Sequence, residues 1–216
     1  MCSSDLLTLN GNPLSVGTGA LTLLSGINGT RPSWTADATS LVRQGATFGA
    51  TSITGFLDLT IDRDINTTGA NGITLYAIRD LTLNALRTLT TGATGALDLR
   101  AASTAGTAGT GNLTLNGNIS MGSGALTMRS GINGTRPNYT MTTTNFVPQG
   151  ATVGAFDIQG FNDFTVDRNI TSSGGVTVVA FRDLVISATR TLATGAAGAM
   201  NLQAANGSTA GTGNLS

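Results

Sequence analysis

The chain has 216 residues with eleven basic and eleven acidic side chains, all of them Arg or Asp, and it contains no Lys, Glu or His. Zero net charge and 10% charged residues provide no field to attract nucleic acid or an anionic membrane, so neither partner is expected. The 40% apolar content falls in regular alternation, which argues against a disordered Gly/Ser/Thr-rich chain.

Residues 1–6, "MCSSDL", stand outside every repeat. The sequencing-adapter end TGC TCT TCC GAT CT translates as Cys-Ser-Ser-Asp-Leu, so this segment is read as an artefact and Cys2 as non-native. One cysteine supports neither a disulfide nor a metal site. No apolar run reaches the roughly 20 residues that span a bilayer, and no basic segment followed by an apolar one opens the chain.

From Leu7 onward the sequence is written twice. "LTLNGN" at Leu7 returns at Leu113, and "SGINGTRP" at Ser25–Pro32 returns unchanged at Ser130–Pro137. "RQGAT" at Arg43 becomes "PQGAT" at Pro148, and "IDRDI" at Ile61 becomes "VDRNI" at Val166. The copies run from about 7 to 112 and from about 113 to 214, with length changes confined to Gly/Thr/Ala-rich stretches that must be loops. The closing "GTGNLS" restarts a unit, so the fragment is expected to continue into further repeats at its ends.

Within each copy a shorter unit recurs. It is seen in "DLTIDRDINTTGANGITLYAIR", "DLTLNALRTLTTGATGALDLRAA", "NLTLNGNISMGSGALTMRSG" and "DFTVDRNITSSGGVTVVAFR". Each opens polar, apolar, Thr-like, apolar; a turn, an isolated apolar residue, a Gly and a second alternating strand follow. Period-two alternation sends Leu59 and Ile61, Leu81 and Leu83, Leu113 and Leu115, and Phe164 and Val166 to one face. Thr60, Thr82, Thr114 and Thr165 go to the other.

One such unit has too few apolar side chains for its own core and leaves hydrogen-bonding edges above and below. Only stacking at about 4.8 Å satisfies both. The fold predicted for 7–216 is therefore all-β: a single right-handed parallel β-helix, or β-solenoid, of about eight coils. The octapeptide, with its Asn-Gly and terminal Pro, marks where the chain leaves the coil in a lateral excursion.

The coils "NLTLNGNISMGSGALT" and "DFTVDRNITSSGGVTV" resemble those of filamentous-haemagglutinin-type bacterial exoproteins, including two-partner-secreted adhesins and autotransporter passengers. That resemblance covers almost all of residues 7–216. It implies a β-helix shaft, secretion and display on the bacterial surface, with host-cell or bacterial glycans or proteins as partners. It carries over no functional residue, and residues 7–216 are expected to be shaft alone, without the secretion domain or membrane barrel of such proteins.

The densest charge cluster, Asp58, Asp62 and Asp64 with Arg63, has Asp163, Asp167 and Asn169 as its counterpart. Grouped aspartates can serve as acid and base in polysaccharide-cleaving β-helix enzymes, but recurrence in stacked coils favours a solvated ladder or turn cap. No catalytic residue, cofactor or metal site is assigned, and the calcium-binding tract of some solenoids is absent. Arg31, Trp34, Arg136 and Tyr139 form the candidate ligand surface, with the aromatic rings either stacking on sugars or covering the coil interior. The Asn-x-Thr patterns at Asn28, Asn66, Asn133 and Asn169 arise freely in such a composition and are uninformative.

The leading expectation is a non-catalytic shaft of a secreted or surface-displayed adhesin. A polysaccharide lyase or hydrolase, and an ice-binding solenoid built on the Thr column, are the alternatives.

Overall fold

The computed structural model describes residues 14–25, 31–43, 45–102, 111–131, 136–149, 152–204 and 213–216. Among them every helix or strand element is a strand, and every strand pairing is parallel. The protein is a parallel β-helix.

Eight successive rungs follow the chain. The first holds β1 (Leu14–Val16) and β2 (Leu21–Leu24), and the second β3 (Trp34–Asp37), β4 (Leu41–Arg43) and β5 (Thr51–Phe56). The third holds β6 (Leu59–Asp62), β7 (Ile65–Asn66) and β8 (Ile73–Ala77), and the fourth β9 (Leu81–Leu83), β10 (Thr88–Thr90) and β11 (Leu97–Ala101). Next come β12 (Leu113–Leu115), β13 (Asn118–Met121) and β14 (Leu126–Arg129), then β15 (Tyr139–Thr142), β16 (Phe146–Pro148) and β17 (Phe156–Phe161). The last two rungs are β18 (Phe164–Asp167), β19 (Ile170–Ser172) and β20 (Val176–Ala180), then β21 (Leu184–Ile186), β22 (Leu192–Thr194) and β23 (Met200–Gln203).

Three faces result. One sheet runs without a break through all eight rungs, in the order β2-β5-β8-β11-β14-β17-β20-β23. The second face is split into β12-β9-β6-β3 and β15-β18-β21, and the third into β1-β4, β16-β13-β10-β7 and β19-β22. On the third face the breaks fall at equivalent places, after β4 and after β16. There the chain leaves the rung and rejoins it through single bridges, Phe48 to Thr67 and Val153 to Ser172. Residues 26–30 and 132–135 of the two octapeptides lie outside the described residues, as do Asn28 and Asn133. Their flanks show the anchoring: the carbonyls of Pro32 and Pro137 accept from Leu57 N–H and Asn162 N–H on the following rung, both at 2.9 Å.

Alternation places the core as the sequence predicts. Leu59, Leu81 and Leu113 stack in register, as do Ile61, Leu83 and Leu115, and all but the half-buried Leu115 are buried. The isolated apolar residues make a third column, Ile65, Leu89, Ile119 and Phe146. Thr51 is the polar exception in the inward column of the long sheet, and its hydroxyl donates to Gly49 O at 3.2 Å. Burial without that bond would leave a hydroxyl unpaired.

A bulge occurs once per copy. The register of the long sheet shifts at Gly55 and again at Gly160, whose φ values are +85° and +84°. Such a step re-aims the next side chain, so that Phe56 and Phe161 turn inward opposite Ala77 and Ala180. A large ring beside a small neighbour keeps the rung width constant.

Candidate functional site

The aspartate cluster is drawn into cross-rung ladders. Arg79 grips Asp58 with Nε to Oδ1 at 2.6 Å, and Ser33 Oγ donates to the same carboxylate at 2.6 Å. Arg87 Nε meets Asp62 Oδ1 at 2.9 Å, and Thr88 N–H donates to Asp64 Oδ1 at 2.8 Å. The second copy repeats the Arg79, Arg87 and Thr88 contacts, again between successive rungs, while Asn138 in place of Ser33 accepts from Asp163 N–H instead. Arg182 Nε meets Asp163 at 2.7 Å, Arg190 Nε meets Asp167 at 3.0 Å, and Thr191 N–H donates to Asn169 at 2.9 Å.

Asn169 does the work of Asp64 without a charge, so that position needs an acceptor and no proton chemistry. Partial burial works against ionisation of Asp58, but bonds from Arg79 and Ser33 and the charge of Arg79 outweigh it and lower its pKa. A general acid needs the opposite shift.

Strict alternation would send Arg79 and Asp80 to opposite sides. They also approach each other, at 3.5 Å, as do Arg182 and Asp183 at 3.4 Å, because both pairs sit in the corner after β8 or β20 and not on a strand.

The four residues of the candidate ligand surface do not form one surface. Trp34, on the second rung, is half-buried and stacks on Phe56 with ring centres 5.3 Å apart. Tyr139, on the sixth rung, is only 7% exposed and packs against Phe161 and Phe164. Its ring covers the coil interior and presents no face to a sugar. Its hydroxyl is buried without a hydrogen-bond partner, and burial pushes the phenol pKa well above the ordinary range. Arg31 is half-buried beside Pro32.

Arg136 belongs to a different assembly. Its guanidinium lies 3.8 Å from the ring centre of Phe181, and its Nε donates to Gly131 O at 3.2 Å. That pair borders a groove of about 310 Å³ beside the long sheet, whose outward wall is formed by Arg100, Arg129, Gln159 and Val179. These four are register partners on successive strands β11, β14, β17 and β20.

Two carboxylates tie the row down. Arg100 is held by Asp98 through two bonds of 2.7 Å, and Arg129 Nη2 reaches Asp157 at 2.6 Å. Gln159 Nε2 donates to Asp157 at 2.7 Å. Arg129 Nε is buried with no partner. Desolvation lowers the pKa of Arg136, whereas the bonds that Arg100 donates to Asp98 raise that of Arg100.

Sequence reasoning found Arg136 but not Arg100, Arg129, Gln159 or Phe181. The available signal was the second outward position of "LDLR", "LTMR" and "FDIQ", which becomes a row only when the strands are in register. The first copy lacks the combination, having Leu24 where the second has Arg129 and Ile78 where it has Phe181.

Among the described residues no group of three or more His, Cys, Asp or Glu side chains could hold a metal ion, and no helix is long and apolar enough to cross a membrane. The outward Thr column runs through Thr35, Thr60, Thr82 and Thr114. It is a single rank, and its counterpart Thr140, Thr165 ends at Val185. No protein-family model matches the chain, and neither a curated protein nor a solved structure matches it significantly.

Proposed function

We propose that this chain is a non-catalytic shaft segment of a secreted bacterial adhesin or surface exoprotein. The observation that carries the reading is the uninterrupted eight-strand parallel sheet. Each rung supplies the edge for the next, so length is added without new design and a rigid spacer results. The duplication fits that role, since a shaft is extended by copying rungs. The likeness of the coils to those of filamentous-haemagglutinin-type exoproteins supports secretion and display.

A polysaccharide-cleaving activity gains no support from the aspartates. Asp58, Asp62 and Asp64 each hold a cross-rung partner, and retaining catalysis needs one carboxyl kept protonated by its surroundings.

Surface labelling tests the proposal. Antibody raised against the purified protein is expected to label intact, unpermeabilised source cells and to detect the chain in the secreted fraction. Labelling only after lysis overturns it. In parallel, incubation with neutral and acidic polysaccharides is expected to release no reducing ends and no unsaturated products; release that disappears in Asp58→Asn would move the protein to the enzyme class.

A further inference from the structure

We infer that the two ends of the β-helix are complementary: a second copy of this chain docks on the last rung, laying its β2 along the free edge of β23 so that the long sheet runs from one molecule into the next. The inference rests on the parallel β-helix alone and is independent of the shaft proposal.

The chain itself contains the template. "LTTGATGALDLRA" of the fourth rung, residues 89–101, returns as "LATGAAGAMNLQA" of the eighth, residues 192–204, and "GALTMRSG" of the fifth rung, residues 124–131, is "GALTLLSG" of the first, residues 19–26. The fifth rung sits on the fourth through β14 and β11, with Leu126 on Leu97, Thr127 on Asp98, Met128 on Leu99 and Arg129 on Arg100. Transposed to two molecules, the same register sets Leu21 of the second copy on Met200, Thr22 on Asn201, Leu23 on Leu202 and Leu24 on Gln203. The eighth rung receives a successor as the fourth does. Asn214 N–H donates to Asp183 at 3.0 Å and Leu215 bridges Leu184, just as Asn112 N–H donates to Asp80 at 2.9 Å and Leu113 stacks on Leu81.

Among the described residues β2 and β23 each pair on one side only, as the end strands of the long sheet. An open strand edge is a template for another strand. Met200 is 44% exposed, while Leu97, at the same place beneath β14, is completely buried. Leu202 is half-buried where Leu99 is buried. A strand laid over β23 removes that apolar surface from water.

Charge singles out these two edges. Inside the rod Arg100 lies against Arg129, and the two are held by Asp98 and Asp157. At the ends those positions are Gln203 and Leu24. Asn201 replaces Asp98, and its Oδ1 accepts from Gln203 at 2.9 Å as Asp98 accepts from Arg100 at 2.7 Å. Exposed edge strands commonly carry charges that refuse a neighbour. The end strands β2 and β23 carry none, whereas the covered β11 and β14 do. The contact joins two different surfaces by a translation along the axis, so it repeats without closing and yields a filament one rod wide.

Sedimentation velocity and electron microscopy over a concentration series test the inference. The protein is expected to form rods that lengthen with concentration without thickening and, since the junction is uncharged, to keep doing so as salt is raised. In a Cys2→Ser background, Leu24→Cys with Gln203→Cys is expected to give an intermolecular disulfide ladder on oxidation, because register partners on neighbouring strands lie about 5 Å apart. Leu24→Cys with Asn201→Cys, a diagonal pair beyond the roughly 7 Å reach of a disulfide, is expected to cross-link poorly. Met200→Arg, an inward charge on the edge, is expected to weaken association at least about tenfold. Thermal melts accompany each variant, and if Met200→Arg fails to fold, the two cysteine pairs decide. A monomer at every concentration, a dimer that grows no further, undiminished association of folded Met200→Arg, or equal cross-linking of the two cysteine pairs overturns the inference.

Discussion

Arg79 reaches from the corner after one rung to Asp58 at the corner after the rung before, and Arg182 makes the same reach to Asp163 in the second copy. The pairs lie at the rim, with the arginine side chains about half exposed, so solvent screens them and their contribution is small. Asp58→Asn is expected to lower stability by no more than about 1 kcal/mol, read as a shift in the urea midpoint at constant slope. A loss beyond about 3 kcal/mol would mean that the ladder is a structural keystone and not a rim contact.

The bulge glycines are expected to be far less tolerant. At Gly160 a Cβ would stand 1.8 Å from Ser130 O, and at Gly55 2.1 Å from Ser25 O, both at positive φ. Backbone strain and a backbone clash act together. Gly160→Ala should cost about 3 kcal/mol or more and turn Phe161 away from Tyr139 and Phe164. Near-ultraviolet circular dichroism and a denaturant titration check this, and an unchanged aromatic signal would contradict it.

Tyr139→Phe should stabilise the protein. The ring contacts with Phe161 and Phe164 survive the change, and the only loss is a buried hydroxyl that has no partner. Removing an unsatisfied buried group returns about 1–3 kcal/mol, so the melting temperature is expected to rise. A fall would reveal a bond made by that hydroxyl.

Acid should open one turn and spare its twin. Asp37 accepts from the Thr39 hydroxyl and from the backbone N–H groups of Ser40 and Thr39, which lower its pKa from 3.8 to about 2. The folded value lies below the unfolded one, so the stabilisation is complete above pH 3.8 and is lost as pH falls towards about 2. In the second copy the same turn is built with the same bonds, a hydroxyl standing in place of the carboxylate and an amide in place of the Ser40 hydroxyl. Thr142 Oγ1 accepts from Thr144 N–H and Asn145 N–H, while Asn145 Oδ1 accepts from Thr142 N–H. Neither side chain titrates there. Amide exchange at Thr39 and Ser40 is expected to accelerate across that window, with Thr144 and Asn145 unaffected. Parallel behaviour of the two turns would contradict the assignment.

Alternation and duplication were enough to specify a stacked, all-parallel solenoid of eight rungs, because side-chain period and repeat length are properties of the chain and survive without knowledge of contacts. The core columns, the outward threonines and the structural use of the Asp58 and Asp163 clusters follow from the same regularity. What needed three dimensions was everything set by register between strands distant in sequence. The 29 residues that separate Arg100 from Arg129 and the 45 that separate Arg136 from Phe181 hide pairs that stacking brings side by side. The inward turn of Phe161 likewise depends on a one-residue bulge that no local pattern announces. A coil motif states which way each side chain points; which neighbour it meets depends on how long each loop is, and loop length is where the two copies and their rungs differ.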